Sequence, residues 1–173
     1  MELRPFVVAS RNSEIIFPVQ DAIALMQRTE SRHPQGNGTA LLDAPTHKPR
    51  ILVADDNPDI AKVLQLLLHQ WGYEVRTACD GMEAEDRAVE FKPDLLLADY
   101  DMPRRNGLQA ALAIRRHLPG CRIVFLSGVT ELHAITDELR EERLQFIWLN
   151  KPVSCSLLQE KLQQALAGAA VSH

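Results

Sequence analysis

From residue 50 onward, short apolar stretches alternate with longer stretches of helical pattern, and this alternation limits the possible folds more than any other feature. The apolar stretches read RILVAD, YEVRTA, DLLLAD, CRIVFLS and LQFIWLN. Each is followed by a segment with helical spacing of apolar residues or with ordinary helix propensity. Five strand–helix units in strict succession predict a parallel sheet with helices on both faces. We therefore predict an α/β fold, doubly wound around a five-stranded parallel sheet.

The residues at the predicted element ends agree with this fold. Asn57 and Pro58 supply a helix cap and a first-turn proline, and Gly72 closes the first helix. The near-continuous apolar runs ILVA, LLLA and IVFL suit strands that are covered on both faces. The later helices are predicted from GMEAEDRAVEF, NGLQAALAIRRHL, TELHAITDELREER with an N-cap at Thr130, and SCSLLQEKLQQALAG. About 115 residues with five strands suit the smaller doubly wound fold better than a six-stranded dinucleotide-binding fold.

Composition divides the chain into an extension, a main domain and a tail. Residues 1–49 include a stretch rich in Pro, Gly, Asn, Thr and His without a clear period, which is typical of a linker. Apolar residues at helical spacing predict one short helix near residues 19–30. That helix either docks on the main domain or a partner, or belongs to a frayed tail. We assign residues 50–168 to the main domain and residues 169–173 to a tail.

Overall charge and hydropathy exclude several classes of protein. The net charge of −4 argues against a broad nucleic-acid surface, so we expect no direct nucleic-acid partner. No apolar run approaches the roughly 20 residues that cross a bilayer, and the start MELRPFVVASRN lacks a secretory apolar stretch. We therefore expect a cytoplasmic protein with no membrane partner. Cys79, Cys121 and Cys155 form no C-x-x-C pair, which favours reduced thiols over a disulfide framework or a zinc site.

Polar side chains follow four of the five predicted strands, at the edge where such folds place their working sites. Asp55 and Asp56 end the first strand and Asp99 the third, while Ser127 and Lys151 end the fourth and fifth. Three converging carboxylates repel one another unless a cation lies among them, and hard oxygen ligands suit Mg²⁺. A lysine and a hydroxyl at the same edge complete a set suited to phosphoryl transfer onto an aspartate. The chain lacks the G-x-x-x-x-G-K-[ST] motif, so a nucleotide is not the expected phosphoryl source.

Four motifs in order, ILVADDNPDI, PDLLLADYDMPRRNG, IVFLSG and FIWLNKPV, resemble the receiver domain of two-component response regulators. The resemblance spans roughly residues 50–168 and implies a flavodoxin-like (βα)5 fold with strand order 2-1-3-4-5. It implies that Asp99 is the phosphoacceptor and that Asp55 and Asp56 hold Mg²⁺. The backbone carbonyl of Asp101 matches the third protein ligand to the metal.

The same resemblance assigns a switch to the last two strands. Ser127 matches the switch hydroxyl, Trp148 the switch aromatic, and Lys151 the phosphate-binding lysine ahead of a cis Pro152. The residues alone leave Trp148 open between a moving reporter and an aromatic packed on the last helix. The face formed by the fourth and fifth helices and the fifth strand is then the surface that changes on phosphorylation.

By this resemblance, the chain accepts a phosphoryl group from a sensor histidine kinase or a phosphotransfer protein. It acts on a downstream protein target and promotes only its own phosphorylation and dephosphorylation, so we expect no enzyme of another class. No output domain follows in the sequence, which leaves an effector, a relay and a phosphate sink open. A homodimer through the face of the fourth and fifth helices is also open.

Two other functions remain as alternatives. Asp99 and Asp101 form a D-x-D that is similar to that of haloacid-dehalogenase-like phosphohydrolases, which also use Asp, Mg²⁺ and Lys. That family expects its D-x-D on the first core strand, whereas here an acidic pair comes first. The second alternative is a receiver-like docking module that is not phosphorylated.

Three charged residues near Asp99 are expected to lie outside the site. Asp94 precedes Asp99 by five residues on the same strand, which places it some 17 Å away at about 3.3 Å per residue. We interpret it as a strand-start residue. Arg104 and Arg105 either steer anionic phosphodonors or are solvated loop charges, and the second interpretation is favoured.

Overall fold

The computed structural model describes residues 6–10, 13–17, 47–128 and 144–168. Its main feature is a five-stranded sheet in which every neighbouring pair of strands is parallel. The strands are β3 (Arg50–Ala54), β4 (Glu74–Ala78), β5 (Leu95–Asp99), β6 (Arg122–Ser127) and β7 (Ile147–Asn150). Their spatial order is β4-β3-β5-β6-β7. This is the predicted order 2-1-3-4-5, so the predicted fold is confirmed.

Four helices follow these strands within the described residues: α1 (Pro58–Gln70), α2 (Gly81–Phe91), α3 (Gly107–His117) and α4 (Cys155–Leu166). The Asn57 side chain caps α1 by accepting from the backbone N–H groups of Asp59 and Ile60, as predicted. Gly72, just beyond α1, has φ +92°, a conformation that glycine adopts without steric cost. None of the helices in this described part of the chain combines the length and the apolar character that a bilayer span requires.

Apolar side chains fill both faces of the sheet, which explains why the strands are almost continuously hydrophobic. On one face the strand residues pack against α1 and α4, through side chains such as Leu64 and Leu162. On the other face they pack against α2 and α3, through side chains such as Phe91 and Ile114. All residues of the central strand β5 are buried. A rigid, two-sided core therefore fixes the carboxyl ends of the strands relative to one another.

An antiparallel hairpin lies outside the main sheet. It is formed by β1 (Phe6–Ser10) and β2 (Ser13–Phe17), and β2 pairs in parallel with the short strand β8 (Val153–Ser154). The register places Ile15 opposite Val153 and Ile16 opposite Ser154. These residues fall in the stretch interpreted above as an extension, for which no strand was predicted. The partner strand is two residues long and far away in the sequence, so no local sequence pattern predicts the pairing.

Several predicted features fall on parts of the chain outside the described residues. These are the short helix near residues 19–30, the helix predicted from residues 130–143, and the tail at 169–173. The division into extension, main domain and tail stays a prediction.

Removing residues 1–17 should release β8 without unfolding the main sheet. Among the described residues, β2 is the only strand that pairs with Val153 and Ser154, so their amides should exchange hydrogen faster in the truncated chain. The measurement is hydrogen exchange followed by mass spectrometry, with the β5 segment as the internal control because it is buried and paired on both sides. Unchanged exchange at Val153 and Ser154 would contradict the pairing.

Candidate functional site

The carboxyl edge of the sheet brings together the polar residues that were predicted from the strand ends. Backbone hydrogen bonds continue past these ends and hold the next residues in register. The Asp55 N–H donates to the Ala78 carbonyl at 3.1 Å, and the Lys151 N–H donates to the Ser127 carbonyl at 2.7 Å. The side chains of this edge are therefore positioned by the sheet itself rather than by mobile connections.

Three carboxylates meet at this edge. One oxygen from each of Asp55, Asp56 and Asp99 lies within 4.8 Å of the others. Asp55 and Asp99 are buried, with 1% and 3% of their surfaces exposed, whereas Asp56 is exposed. Carboxylates this close repel one another strongly where water is excluded. The group accordingly favours either a bound cation or a retained proton.

Lys151 supplies one positive charge to the cluster. Its Nζ lies 2.8 Å from Asp99 Oδ2 and 3.8 Å from Asp55 Oδ2. The lysine is itself buried, and the peptide bond between it and Pro152 is cis, as the resemblance implies. A buried ion pair of this kind is strongly destabilised when one partner is removed, because the other charge is left without compensation.

Two polar atoms of the site are buried without a hydrogen-bond partner within the described residues. They are Oδ2 of Asp55 and Oγ of Ser127. The other oxygen of Asp55 accepts from the Asn57 N–H at 2.9 Å, and Asp99 Oδ1 accepts from the Asp101 N–H at 3.2 Å. Buried polar atoms normally find a partner, so unsatisfied ones mark places for a ligand, an ion or an ordered water. A carboxylate oxygen fits Mg²⁺, and a hydroxyl fits a phosphoryl oxygen.

The electrostatic environment changes the proton affinity of the first two aspartates. Burial raises the pKa of Asp55 to about 7, with the negative charge of Asp99 adding to the increase and Lys151 opposing it. Loss of solvent around its carboxyl group, followed by the charge of Asp99, also raises the pKa of Asp56. The lysine thus offsets only part of the negative charge at this edge.

An aromatic group lies next to Asp99. The ring centroid of Trp148 lies 5.5 Å from that of Tyr100 and 5.7 Å from that of Phe125. Trp148 is half-buried, and its Nε1–H donates to Asn150 Oδ1 at 3.0 Å. Tyr100 directly follows Asp99, so a single residue links Asp99 to Trp148. Sequence reasoning identified Trp148 but missed Tyr100, because the contact joins two separate strands.

The segment after Asp99, residues 100–106, is called the acceptor turn below. It places Met102 in the core and leaves Asp101 exposed. Gly107 directly follows the turn, and a Cβ there would lie only 2.3 Å from the Asp99 carbonyl oxygen. Only glycine permits this close approach. The N-G pair at the end of MPRRNG therefore serves the geometry of the turn.

Charged residues near the site have roles that differ from one another. Asp94 lies at the start of β5, where its Oδ2 accepts from the Arg50 N–H at 2.7 Å, as expected for a strand-start residue. The guanidinium groups of Arg104 and Arg105 pair with Asp80 and Glu85 of the α2 region, while 62% and 34% of their side-chain surfaces stay exposed. The favoured interpretation as solvated loop charges agrees with the exposure of Arg104 but did not include the two ion pairs. Asp80 was missed altogether, since the second strand was judged to end without a functional residue.

Comparison with known proteins agrees with this arrangement. The family model of the response regulator receiver domain matches residues 51–163. The transcriptional regulatory protein ZraR of Klebsiella oxytoca is 30% identical over 123 residues, which are 71% of this chain and 27% of that protein. PrrA of Mycobacterium leprae is 36% identical over 93 residues, or 52% of this chain and 40% of that protein. The chain thus spans well under half the length of either relative.

The alignments with two solved structures of similar fold cover nearly the full length of each solved chain. The chemotaxis protein CheY4 of Vibrio cholerae aligns with a TM-score of 0.63 at 28% identity, covering 69% of this chain and 99% of that one. The response regulator TrrA of Thermotoga maritima, solved in complex with Mg²⁺ and BeF, aligns with a TM-score of 0.59 at 30% identity. That alignment covers 68% of this chain and 98% of TrrA.

The raised pKa of Asp55 predicts a stability that falls with pH in the absence of metal. Because the folded pKa of about 7 lies above the ordinary 3.8, the folded state holds this proton more tightly than the unfolded state. The resulting stabilisation is complete below about pH 4 and is lost as the pH rises through 7. Between pH 5 and 8, the free energy of unfolding should fall by roughly 2 to 3 kcal/mol more in the wild type than in Asp55→Asn.

The measurement is urea unfolding with a metal chelator at both pH values. Subtracting the Asp55→Asn result removes the titration of histidines elsewhere in the chain. Added Mg²⁺ should restore stability to the wild type at pH 8 but much less to Asp55→Asn. Equal pH dependence of the two proteins would show that Asp55 has an ordinary pKa.

Proposed function

Because the chain belongs to the family of response regulator receiver domains, we propose that it accepts a phosphoryl group on Asp99. The observation that carries the proposal is the Lys151 ammonium group 2.8 Å from Asp99, with two further carboxylates within 4.8 Å. The donor is a phosphohistidine on a sensor histidine kinase or a phosphotransfer protein. A receiver of this kind catalyses no reaction beyond its own phosphorylation and dephosphorylation.

In the proposed transfer, one Asp99 carboxylate oxygen attacks the phosphorus atom. The bond between phosphorus and the histidine nitrogen breaks, the imidazole keeps the electron pair, and it takes up a proton as it leaves. Lys151 neutralises charge on the phosphoryl oxygens, and the unsatisfied Ser127 hydroxyl donates to one of them. The Asp101 N–H holds Asp99 Oδ1, which orients the carboxylate for attack.

The residues that would hold Mg²⁺ are Asp55, Asp56 and Asp99, with the backbone carbonyl of Asp101. Their hard oxygen atoms fit this ion, and the unsatisfied Oδ2 of Asp55 supports its presence. When bound, Mg²⁺ neutralises negative charge and orients the phosphoryl oxygens. Without it, the cluster relies on Lys151 and on the raised pKa of Asp55.

The consequence of phosphorylation is a change of packing on the β6–β7 side of the site. Ser127 is drawn toward the phosphoryl oxygens, and Trp148 changes its contacts with Tyr100 and Phe125 as a result. The surface that changes includes β7 and α4 together with the helix predicted from residues 130–143. The population shifts between two packings, and a partner that prefers one of them reads the signal.

The signal is proposed to leave the domain through protein contacts. A downstream protein target binds the changed face, and a homodimer through that face is a second outcome of the same change. The net charge of −4 supports a protein partner over direct nucleic-acid binding. We place the protein in the cytoplasm, where receiver domains typically act, and assign residues 50–168 to the receiver and 1–49 to an extension.

The phosphohydrolase alternative loses its support in this fold. It requires the D-x-D of Asp99 and Asp101 on the first core strand, whereas Asp99 ends β5, the third strand of the sheet along the chain. The family match is to receiver domains. The unphosphorylated docking module differs from our proposal only in its chemistry, so a labelling experiment separates the two.

We expect acetyl phosphate and Mg²⁺ to add up to one phosphoryl group per chain, and Asp99→Asn to abolish the addition. The amide is a poor nucleophile and cannot form the acyl phosphate. Intact-protein mass spectrometry measures the product. The matched control is Asp94→Asn, which changes an aspartate at the other end of the same strand and should label normally. Labelling retained in Asp99→Asn would refute the assignment.

Trp148 should report the same event optically. The chain has two tryptophans, and Trp71 ends α1 on the other face of the sheet. In a Trp71→Phe background, acetyl phosphate with Mg²⁺ should change the emission of Trp148, because its contact with Tyr100 responds to Asp99. The change should vanish when Asp99→Asn is added. An identical emission change in that double variant would assign the signal to Mg²⁺ binding alone.

A further inference from the structure

The acceptor turn is fastened to the start of α2 by two ion pairs. The Arg104 guanidinium group contacts Asp80 Oδ2, and that of Arg105 contacts Glu85 Oε2. The backbone of the turn also lies close to α2, because a Cβ on Gly81 would lie 2.5 Å from the Arg105 carbonyl oxygen. The turn therefore rests directly on the first residue of this helix.

The two carboxylate oxygens of Asp80 have different hydrogen-bond partners. Oδ1 caps α2, accepting from the N–H groups of Met82 and Glu83 at 2.7 and 2.9 Å. Oδ2 accepts a hydrogen bond from the Arg104 guanidinium group. Asp80 is buried, and the backbone N–H of Glu83, more than any other group, lowers its pKa. The carboxylate is thus ionised and held by the N-terminus of the helix, where it pairs with the largely exposed Arg104 side chain.

Arg104 adopts a backbone conformation that its own side chain disfavours. Its φ is +66°, in the left-handed region where glycine is the usual residue. A non-glycine residue there costs on the order of 1 kcal/mol. Arg104 therefore carries a backbone cost that glycine would not, and its side chain reaches Asp80.

We propose that Asp80 and Arg104 are a positioning pair, which holds the acceptor turn so that the Asp101 carbonyl stays available to Mg²⁺. This inference rests on the proposed function, because the Asp101 carbonyl matters only if the site binds the metal. The pair touches neither metal nor phosphoryl group. It acts by restricting the two residues between Asp101 and Arg104, which sets the Mg²⁺ affinity of the site.

The test compares Mg²⁺ binding in Arg104→Gly and Asp80→Asn, measured by isothermal titration calorimetry on the full chain. Glycine accepts φ +66° without strain but has no guanidinium group, so stability and positioning are separated. Asparagine caps a helix as well as aspartate but lacks the charge. Each variant should weaken Mg²⁺ binding roughly three- to tenfold, while Arg104→Gly unfolds at no lower urea concentration than the wild type.

Two further variants show whether the effect belongs to the pair. The double variant should bind Mg²⁺ no more weakly than either single variant, because each change already removes the contact. Arg104→Lys keeps the charge and should recover most of the affinity. The matched control is Arg76→Gln, which breaks a 3.1 Å ion pair with Glu90 at the other end of α2 and should leave Mg²⁺ binding unchanged.

A metal-free measurement checks the proposed cause. The N–H groups of Met102 and Arg105 both donate within the turn, at 3.2 and 2.7 Å. Their hydrogen exchange should be faster in Arg104→Gly and Asp80→Asn than in the wild type without any Mg²⁺ present.

The failures of the two proposals are distinguishable. Wild-type affinity and wild-type exchange in both single variants would overturn the positioning pair and leave the proposed function standing. A wild type that neither binds Mg²⁺ nor labels on Asp99 would instead overturn the proposed function.

Discussion

Two buried carboxylates share one buried ammonium group at the carboxyl edge of the sheet, and the rest of the site follows from this imbalance of charge. Asp55 and Asp99 together carry one negative charge more than Lys151 can neutralise. Where water is excluded, such an excess is costly unless a proton or a cation compensates it. A pKa of about 7 at Asp55 represents the first solution, and a divalent metal with exposed Asp56 represents the second. The same excess of negative charge favours a ligand that binds together with a cation.

The sheet makes this arrangement possible because its rigidity opposes the repulsion. Each charged side chain lies at the end of, or just beyond, a strand that is hydrogen-bonded to its neighbours and packed on both faces. Repulsion between carboxylates could be relieved by moving a strand end, but only by breaking ladder bonds and core contacts. The energy gained from burying the apolar strands therefore maintains an electrostatically unfavourable cluster, as functional sites commonly require.

The strand ends could be predicted from sequence because a parallel sheet places every carboxyl end at one edge. The positions of Asp55, Asp99, Ser127 and Lys151 follow from strand boundaries alone, and so do α1 and its Asn57 cap. What could not be predicted depends on contacts between distant segments. The hairpin pairs with a two-residue strand that has no pattern of its own, and the arginines of the acceptor turn pair with residues of another strand–helix connection. For the arginines, the sequence shows the charge of each side chain but not the residue that pairs with it.

The two sides of the acceptor turn differ in how completely their polar groups are satisfied, and this difference indicates the direction of the switch. On the α2 side, Asp80 uses both oxygens and the backbone of the turn lies against Gly81. On the β6 side, the buried Ser127 hydroxyl has no hydrogen-bond partner in the part of the chain that the structure describes. New oxygen acceptors at Asp99 would gain a hydrogen bond on the β6 side and none on the α2 side. In the proposed mechanism the packing therefore changes around Ser127 and the neighbouring Trp148, while the contacts with α2 keep the turn in place.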